Sequence, residues 1–129
     1  MYKRQDELLT EIRIPAQPVG AGMAYRQLKQ PASGYSIVGV AAVIACAGGS
    51  VTTARIAITG VGGVAYRAAA VEAALVGTSG DAQAIAAAAA HAADGVMVAS
   101  DIHADAVYRA EMARVYTRRA IEAALGAAG

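Results

Sequence analysis

The hydrophobic pattern of this chain changes character at Gly62-Gly63, and that change constrains the fold more than any other feature. Before this point apolar and polar residues alternate as they do in strands, whereas alanine-rich stretches with helical spacing follow it. Strands that come first and helices that come second are typical of α+β folds. We therefore predict an α+β domain in which a small antiparallel sheet of three or four strands is covered on one face by three helices.

Four segments have the pattern of strands, and the last two of them indicate a hairpin. The segments are residues 7–14, 22–28, 37–47 and 51–59. Gly48, Gly49 and Ser50 separate the last two, and a short glycine-containing connection between two such runs is typical of a β-hairpin. Pro15 ends the first segment, because proline cannot donate a hydrogen bond to a sheet. The order of the segments favours an antiparallel meander.

Three helices are predicted after the strands. They are residues 66–76, residues 82–94 and a last helix that follows a loop over residues 96–103. Gly77 supplies a stop for the first helix, since a left-handed C-terminal residue is easiest for glycine. Ser79 or Asp81 is predicted to cap the second helix, and Asp105 is predicted to cap the third. The alanine tract 86–90 favours a helix and allows a neighbour to approach closely.

The last predicted helix carries apolar side chains on two faces. Tyr108, Met112 and Val115 form one stripe, while Val107, Ile121 and Leu125 form the other. A helix with two apolar faces is expected to have neighbours on both sides. Together with the alanine-rich surface, this pattern leaves homo-oligomerisation open.

Length and composition predict a single domain over residues 1–129. The chain is 57% hydrophobic with a mean hydropathy of +0.42, but much of this comes from alanine, and Trp and Phe are absent. Its longest nearly uncharged apolar run, residues 37–49, is shorter than the roughly 20 residues that a membrane-spanning helix needs. No apolar stretch typical of a signal peptide precedes Asp6. We expect a cytoplasmic protein without a membrane segment.

Charge and cysteine content point to no particular partner. The formal net charge is +1, so no strong field favours nucleic acid or acidic lipid. Cys46 is the single cysteine and lies in an apolar run, so it is predicted to be a small buried hydrophobic residue.

Few residues have the pattern of a catalytic or metal site. His91 follows the alanine tract and suits the C-terminal end of a helix. The grouping of His103 with Asp101 and Asp105 suggests a metal-binding cluster, but the two aspartates also fit capping and turn positions before a helix. The glycine-rich residues 60–63 lack the spacing of a phosphate-binding loop and are predicted to be a turn. We predict no catalytic residues and no metal site.

Several short segments of the chain, taken in their order and spacing, resemble those of a known protein family. The segments are residues 7–15, 38–42, 54–61, 67–68 with 72–77, 100–101 with 108–109, and 117–120. In this set the chain resembles the C-terminal domain of the FAD-binding medium subunit of carbon monoxide dehydrogenase-type molybdenum hydroxylases, the xanthine dehydrogenase family. The resemblance extends over about residues 7–125. No single segment is diagnostic, but the ordered set is specific.

The resemblance implies a role beside a flavin. Enzymes of the family oxidise a substrate at a molybdenum cofactor, pass electrons through iron–sulfur clusters in partner subunits, and deliver them to FAD on the medium subunit. It implies that this domain covers the flavin from one side, with Leu9 as an apolar contact and Lys29 as a polar or cationic contact. Without the resemblance, Lys29 would be read as a solvated loop residue.

Two departures from the family pattern bear on this expectation. The loop over residues 31–36 lacks the arginine and acidic residues common there, and residues 62–65 replace a proline-containing turn. The N-terminal FAD-binding segment is absent from these residues, so we expect weak or no FAD binding by this chain alone.

Three functions follow as hypotheses. The first is a non-catalytic accessory domain of the FAD subunit, with the N-terminal FAD-binding segment and the molybdenum and iron–sulfur subunits as partners. The second is a stand-alone protein-interaction domain of the same fold without redox function. The third is a small enzyme that uses His103 and Asp101. The sequence does not identify the substrate of the parent enzyme.

Overall fold

The structure, a computed structural model, describes residues 6–128 and contains four strands and three helices. In chain order the elements are β1 (Gly22–Lys29), β2 (Ser36–Ala47), β3 (Ser50–Thr59), β4 (Tyr66–Arg67), α1 (Ala69–Leu75), α2 (Ala82–Ala89) and α3 (Ala106–Gly126). The strands form one antiparallel sheet in the order β1-β2-β3-β4. The predicted α+β fold and its antiparallel meander are therefore confirmed.

The predicted hairpin is the centre of the sheet. β2 and β3 pair from Gly39–Thr59 to Ala47–Ser50, and β1 lies on the other side of β2. Gly48 and Gly49 form the connection with φ angles of 59° and 79°. Both angles lie in the left-handed region that glycine adopts without steric cost, so the glycine pair allows the tight reversal.

Two parts of the predicted secondary structure are wrong. Residues 7–14 carry no regular secondary structure, because no neighbouring strand pairs with them within the described chain. The fourth strand is instead Tyr66–Arg67, which was predicted to begin a helix. This segment pairs with β3, and the Ala68 N–H then donates to the Ile56 carbonyl at 2.9 Å. Helix α1 therefore begins only at Ala69.

The core lies between one face of the sheet and the helices. Alternate residues of the central strands point into it, namely Val38, Val40, Ala42 and Ile44 of β2 and Ala54, Ile56 and Ile58 of β3. Val71 and Leu75 of α1 and Ile121 of α3 fill the opposite side. The period of two in β2 and β3 therefore determines which sheet face is buried.

Helix α3 packs closely on β1 and β2 through small side chains. Its buried residues are Arg109, Ala113, Thr117, Ala120, Ile121 and Ala124. A Cβ atom on Gly22 would lie 1.9 Å from the Ala124 carbonyl oxygen, so the glycine allows the helix backbone to touch the strand. The predicted stripes of large side chains are wrong in part, since Val107 and Tyr108 are exposed. Close contact with the sheet selects alanine and glycine rather than large apolar residues.

Helix α2 ends earlier than predicted and contacts both other helices. It stops at Ala89, and the following residues form turns up to Gly95. The Asp81 carboxylate accepts hydrogen bonds from the backbone N–H groups of Gln83 and Ala84 at 3.0 and 2.9 Å, which confirms one of the two predicted caps. No helix within residues 6–128 is long and apolar enough to cross a bilayer.

Cys46 is exposed, which contradicts its predicted burial. The pairing of β2 with β3 shifts register between Ala45 and Cys46. Such a bulge breaks the alternation of a strand, so the side chain one position further on no longer points into the core.

Candidate functional site

The connection between β1 and β2 presents Lys29, one of the two predicted flavin contacts. Lys29 is the last residue of β1, and the strand pairing shifts register between Leu28 and Lys29. Its side chain is exposed, and among the described residues its ammonium group has no ion-pair partner. Lys29 therefore offers an unneutralised positive charge to whatever lies against this end of the sheet.

The connection is held by its own hydrogen bonds. The Gln30 N–H donates to the Tyr35 carbonyl at 2.8 Å, and the Gly34 N–H donates to the Gln30 carbonyl at 2.9 Å. The Gln30 side-chain oxygen accepts from both the backbone and the hydroxyl of Ser33. Amide and hydroxyl groups thus order a loop that lacks the charged residues expected there from the resemblance.

Arg109 fastens the base of this connection to the rest of the domain. Its guanidinium Nη1 donates to the carbonyls of Ile37 at 3.0 Å and Gly60 at 2.7 Å. Its Nη2 lies 2.6 Å from the Asp101 carboxylate, and its side chain is only 6% exposed. One buried cation therefore links the start of β2, the residue after β3 and the loop before α3.

Asp101 is the partner that neutralises Arg109. Its other carboxylate oxygen accepts from the backbone N–H groups of His103 at 2.9 Å and Ala104 at 3.1 Å. The His103 N–H and then the Arg109 guanidinium lower the pKa of Asp101 below its ordinary value. Asp105 caps α3 by accepting from the Tyr108 N–H at 2.7 Å. The capping and turn roles predicted for the two aspartates are therefore confirmed.

Gly60 allows the two strand ends to meet beneath the connection. Its φ is 82°, and a Cβ atom there would lie 2.6 Å from the carbonyl oxygens of both Ser36 and Ile37. Any other residue would combine an unfavourable backbone angle with a steric clash. The glycine-rich residues after β3 therefore form a turn, as the sequence predicted.

A second, partly buried polar contact holds the opposite edge of the sheet. The Glu72 carboxylate on α1 accepts the Ile56 N–H at 2.7 Å and pairs with the Arg67 guanidinium through two bonds of 2.7 Å. The carboxylate thus satisfies a β3 N–H where β4 ends. Tyr66 donates its hydroxyl to the Ala92 carbonyl at 2.8 Å, and burial raises the pKa of Tyr66 to about 12.

Leu9, the other predicted flavin contact, lies outside the sheet. Its side chain is 76% exposed in a segment that forms no strand. His91 lies in the turns after α2 and pairs with Asp94 at 2.6 Å through Nδ1. Leu9 and Lys29 therefore stay predictions. Lys29 lies at the end of β1, beside a connection whose base Arg109 holds, and Leu9 lies on a segment without a strand partner.

Sequence reasoning missed the roles of Arg109 and Glu72. Arg109 stands at the start of the stripe that continues through Ala113 and Thr117, at the four-residue spacing of one helix face. A charged residue on a buried face is the signal that could have identified it, since such a charge requires partners. Glu72 gave a weaker signal. It lies five positions after Arg67 in the segment that was predicted to be one helix.

The fold and its buried polar contacts define a small α+β domain of one meander sheet and three helices. Comparison with known families matches residues 23–124 to the CO dehydrogenase flavoprotein C-terminal domain. The chain therefore belongs to this family. The segments that carried the resemblance include both ion pairs of this site, since residues 67 and 72 and residues 101 and 109 are among them.

Individual relatives agree with the family match. The carbon monoxide dehydrogenase medium chain of Afipia carboxidovorans is 42% identical over 118 residues, which are 92% of this chain and 41% of that one. The 6-hydroxypseudooxynicotine dehydrogenase complex subunit alpha of Paenarthrobacter nicotinovorans is 32% identical over 120 residues, covering 92% of this chain and 40% of that one.

A solved structure shows the same fold. Carbon monoxide dehydrogenase from Hydrogenophaga pseudoflava, in a form lacking the Mo-pyranopterin moiety of the molybdenum cofactor, superposes with a TM-score of 0.84 at 38% identity. The superposition covers 90% of this chain and 40% of that chain. This chain thus spans about two fifths of the length of the relatives it matches.

Proposed function

We propose that this chain serves as the C-terminal accessory domain of the FAD subunit of a molybdenum hydroxylase, where it covers the flavin and contributes to subunit assembly. The observation that carries the proposal is the match of residues 23–124 to the flavoprotein C-terminal domain family. The exposed charge of Lys29, at the end of β1 and beside a connection whose base is held by Arg109, supports it. In this role the domain is not catalytic alone.

The chemistry of the two predicted contacts fits a flavin. FAD accepts electrons at its ring system, and the reduced ring carries negative charge that a nearby cation stabilises. Lys29 supplies such a cation from the end of β1, beside a hydrogen-bonded loop, while Leu9 supplies apolar contact. The Arg109 contacts to Ile37 and Gly60 limit how far the loop can move.

The proposed partners are the FAD-binding segment of the same subunit and the molybdenum and iron–sulfur subunits of the complex, in the cytoplasm. The relatives include a carbon monoxide dehydrogenase chain and a 6-hydroxypseudooxynicotine dehydrogenase chain. These names describe different substrates, so membership of the family does not identify a substrate for this chain. Homo-oligomerisation of this domain stays a prediction, and the mass of the protein in solution tests it.

Two measurements test the proposal. FAD fluorescence titrated with the isolated chain should show no tight binding, because the accessory domain supplies only one side of the site. The second uses an exchange subunit, in which this chain replaces the matching region of the Afipia carboxidovorans medium chain. It should retain FAD, and Lys29→Ala should lower the flavin midpoint potential while Lys29→Arg should largely preserve it. Arg118→Ala, which removes an exposed cation of α3, is the matched control.

Tight FAD binding by the isolated chain, or loss of FAD from the exchange subunit, would contradict the proposal. The second outcome would favour the alternative, a stand-alone interaction domain without redox function. That alternative is motivated by the loop over residues 31–36, which is ordered by Gln30 and Ser33 instead of charged residues.

A further inference from the structure

We propose that Arg109 is a positioning residue for Lys29, because it holds a β-bulge that sets the direction of the lysine side chain. This inference rests on the proposed function, in which Lys29 lies against the flavin. It gives a buried residue of α3 a part in setting the flavin midpoint potential.

The pairing of β1 with β2 skips one residue next to the partner of Lys29. Lys29 pairs with Ser36, although the register of the preceding residues leads to Ile37. Ile37 is therefore left without a register partner in β1, and the described ladder between β2 and β3 starts only beyond it, at Gly39. An extra residue of this kind is a β-bulge, which bends the strand and redirects neighbouring side chains.

The side-chain positions agree with the bulge. Ile37 and Val38 are consecutive, yet both pack against the core, whereas unbroken alternation would place them on opposite faces. The Ser36 hydroxyl donates to the Gln27 side-chain oxygen at 2.6 Å. Gln27 and Lys29 are two residues apart and share one face of β1. The bulge thus brings Ser36 beside the face from which Lys29 projects.

Arg109 donates to the carbonyl of the extra residue. Its Nη1 lies 3.0 Å from the Ile37 oxygen and 2.7 Å from the Gly60 oxygen. A bulge disrupts the ladder locally, so the carbonyl of its extra residue benefits from another donor. Asp101 holds the same guanidinium through Nη2 at 2.6 Å. Arg109 therefore fixes the bulge to the loop before α3 and to the residue after β3.

The direction of Lys29 matters because the effect of a charge on the flavin falls with distance. A lysine in place of Arg109 keeps a cation beside Asp101. It lacks the planar fork with which arginine reaches a carboxylate and carbonyl oxygens together. Arg109→Lys should therefore loosen the bulge without leaving the Asp101 carboxylate unpaired.

Flavin midpoint potentials of the exchange subunit test this assignment. Arg109→Lys should lower the potential, as Lys29→Ala does, because the ammonium group is no longer held near the ring. In the double variant, Lys29→Ala should add little further shift, since the charge that it removes no longer acts on the flavin. Arg118→Lys, at a half-exposed position of the same helix, is the matched control and should leave the potential unchanged.

Two results with this variant would overturn the proposal. One is an unchanged potential in a folded Arg109→Lys subunit that retains FAD. The other is full additivity of the two shifts, since Arg109 would then act on the flavin without Lys29. A general loss of stability does not produce a shift that depends on Lys29.

Ser36→Ala keeps the test valid if Arg109→Lys does not fold. It removes the hydroxyl that joins the bulge to Gln27, so it should lower the potential in the parent subunit and change it little in the Lys29→Ala subunit. Ser50→Ala, at the start of β3 and the other end of the hairpin, is its control. Equal shifts in the two subunits, or no shift in either, would overturn the proposal.

The failure of this inference is distinguishable from failure of the proposed function. A potential that responds to Lys29→Ala but to neither Arg109→Lys nor Ser36→Ala would refute the positioning role and leave the accessory role intact. A potential that does not respond to Lys29→Ala would refute the lysine contact and the positioning role with it. Loss of FAD from the unsubstituted exchange subunit would refute the accessory role itself.

Discussion

Arg109 is the charged side chain on which the arrangement of the loops depends most. It is buried, and its donors reach Asp101 and the carbonyls of Ile37, Gly60 and Ala104. Removing one member of such a network leaves the others unsatisfied, which is more costly than losing a single surface contact.

Arg109→Met should lower the free energy of unfolding by about 3 kcal/mol, because Asp101 and the carbonyls lose their charged donor. Urea denaturation measures the change. Arg118→Met, at a half-exposed position of α3, is the control and should change it by less than about 0.5 kcal/mol. If both substitutions lowered the free energy of unfolding equally, Arg109 would stabilise the fold no more than an exposed arginine does, which would contradict this prediction.

Asp101 should make stability depend on acid pH. Its pKa in the folded state is lowered by the His103 N–H and by Arg109, so its contribution is present above its unfolded pKa of about 4. The contribution is lost as the pH falls through the lower folded pKa. Asp101→Asn should flatten the loss of stability below about pH 4 in denaturation curves taken at successive pH values. An unchanged slope would contradict this assignment.

Thr117 carries a buried hydroxyl without a hydrogen-bond partner in the described structure. Burying such a group costs about 1–3 kcal/mol, so Thr117→Val should raise the free energy of unfolding by about 1 kcal/mol. Thr78→Val is the matched control and should destabilise the protein, because the Thr78 hydroxyl donates to the Leu75 carbonyl at 2.7 Å. Chemical denaturation of both variants measures the change in the free energy of unfolding. A destabilised Thr117→Val protein would contradict the prediction.

At the scale of elements, the contact of α3 with β1 depends on Gly22. A Cβ atom there would overlap the Ala124 carbonyl, so Gly22→Ala must displace the helix and should cost about 2 kcal/mol. Gly63→Ala is the control, since a Cβ atom at Gly63 has open space around it. Thermal unfolding compares the two, and equal melting temperatures would show that α3 adjusts without cost.

The sequence predicted the elements whose signals are local. The β2–β3 hairpin follows from alternation and the Gly48-Gly49 turn, and the caps of α2 and α3 follow from Asp81 and Asp105. The pairing of Tyr66–Arg67 with β3 was missed because a two-residue strand has no periodicity of its own.

Features that depend on contacts between distant parts of the chain were harder to predict from the sequence. Residues 7–14 alternate like a strand, yet a strand needs a partner that this chain does not supply within the described residues. The buried face of α3 consists mostly of small residues, with Arg109 and Ile121 among them, so the pattern of large side chains predicted the stripes only in part. Lys29 was singled out by family resemblance alone, while Arg109 could be assigned its contacts only after the fold was known.

At the scale of the whole molecule, this domain presents three features for assembly with a larger subunit. These are the exposed Lys29 at the end of β1, the adjacent connection whose base Arg109 holds, and an apolar segment that precedes the sheet. The chain spans about two fifths of its relatives, so the remaining part of such a subunit holds the flavin in this account.

The most direct measurement is anaerobic flavin reduction in the assembled complex. The exchange subunit is combined with the molybdenum and iron–sulfur subunits of the Afipia carboxidovorans carbon monoxide dehydrogenase, and flavin absorbance is followed after carbon monoxide is added. The account predicts bound FAD whose absorbance falls on reduction, as in the natural complex. A complex that assembles but lacks FAD, or whose FAD stays oxidised, would contradict it.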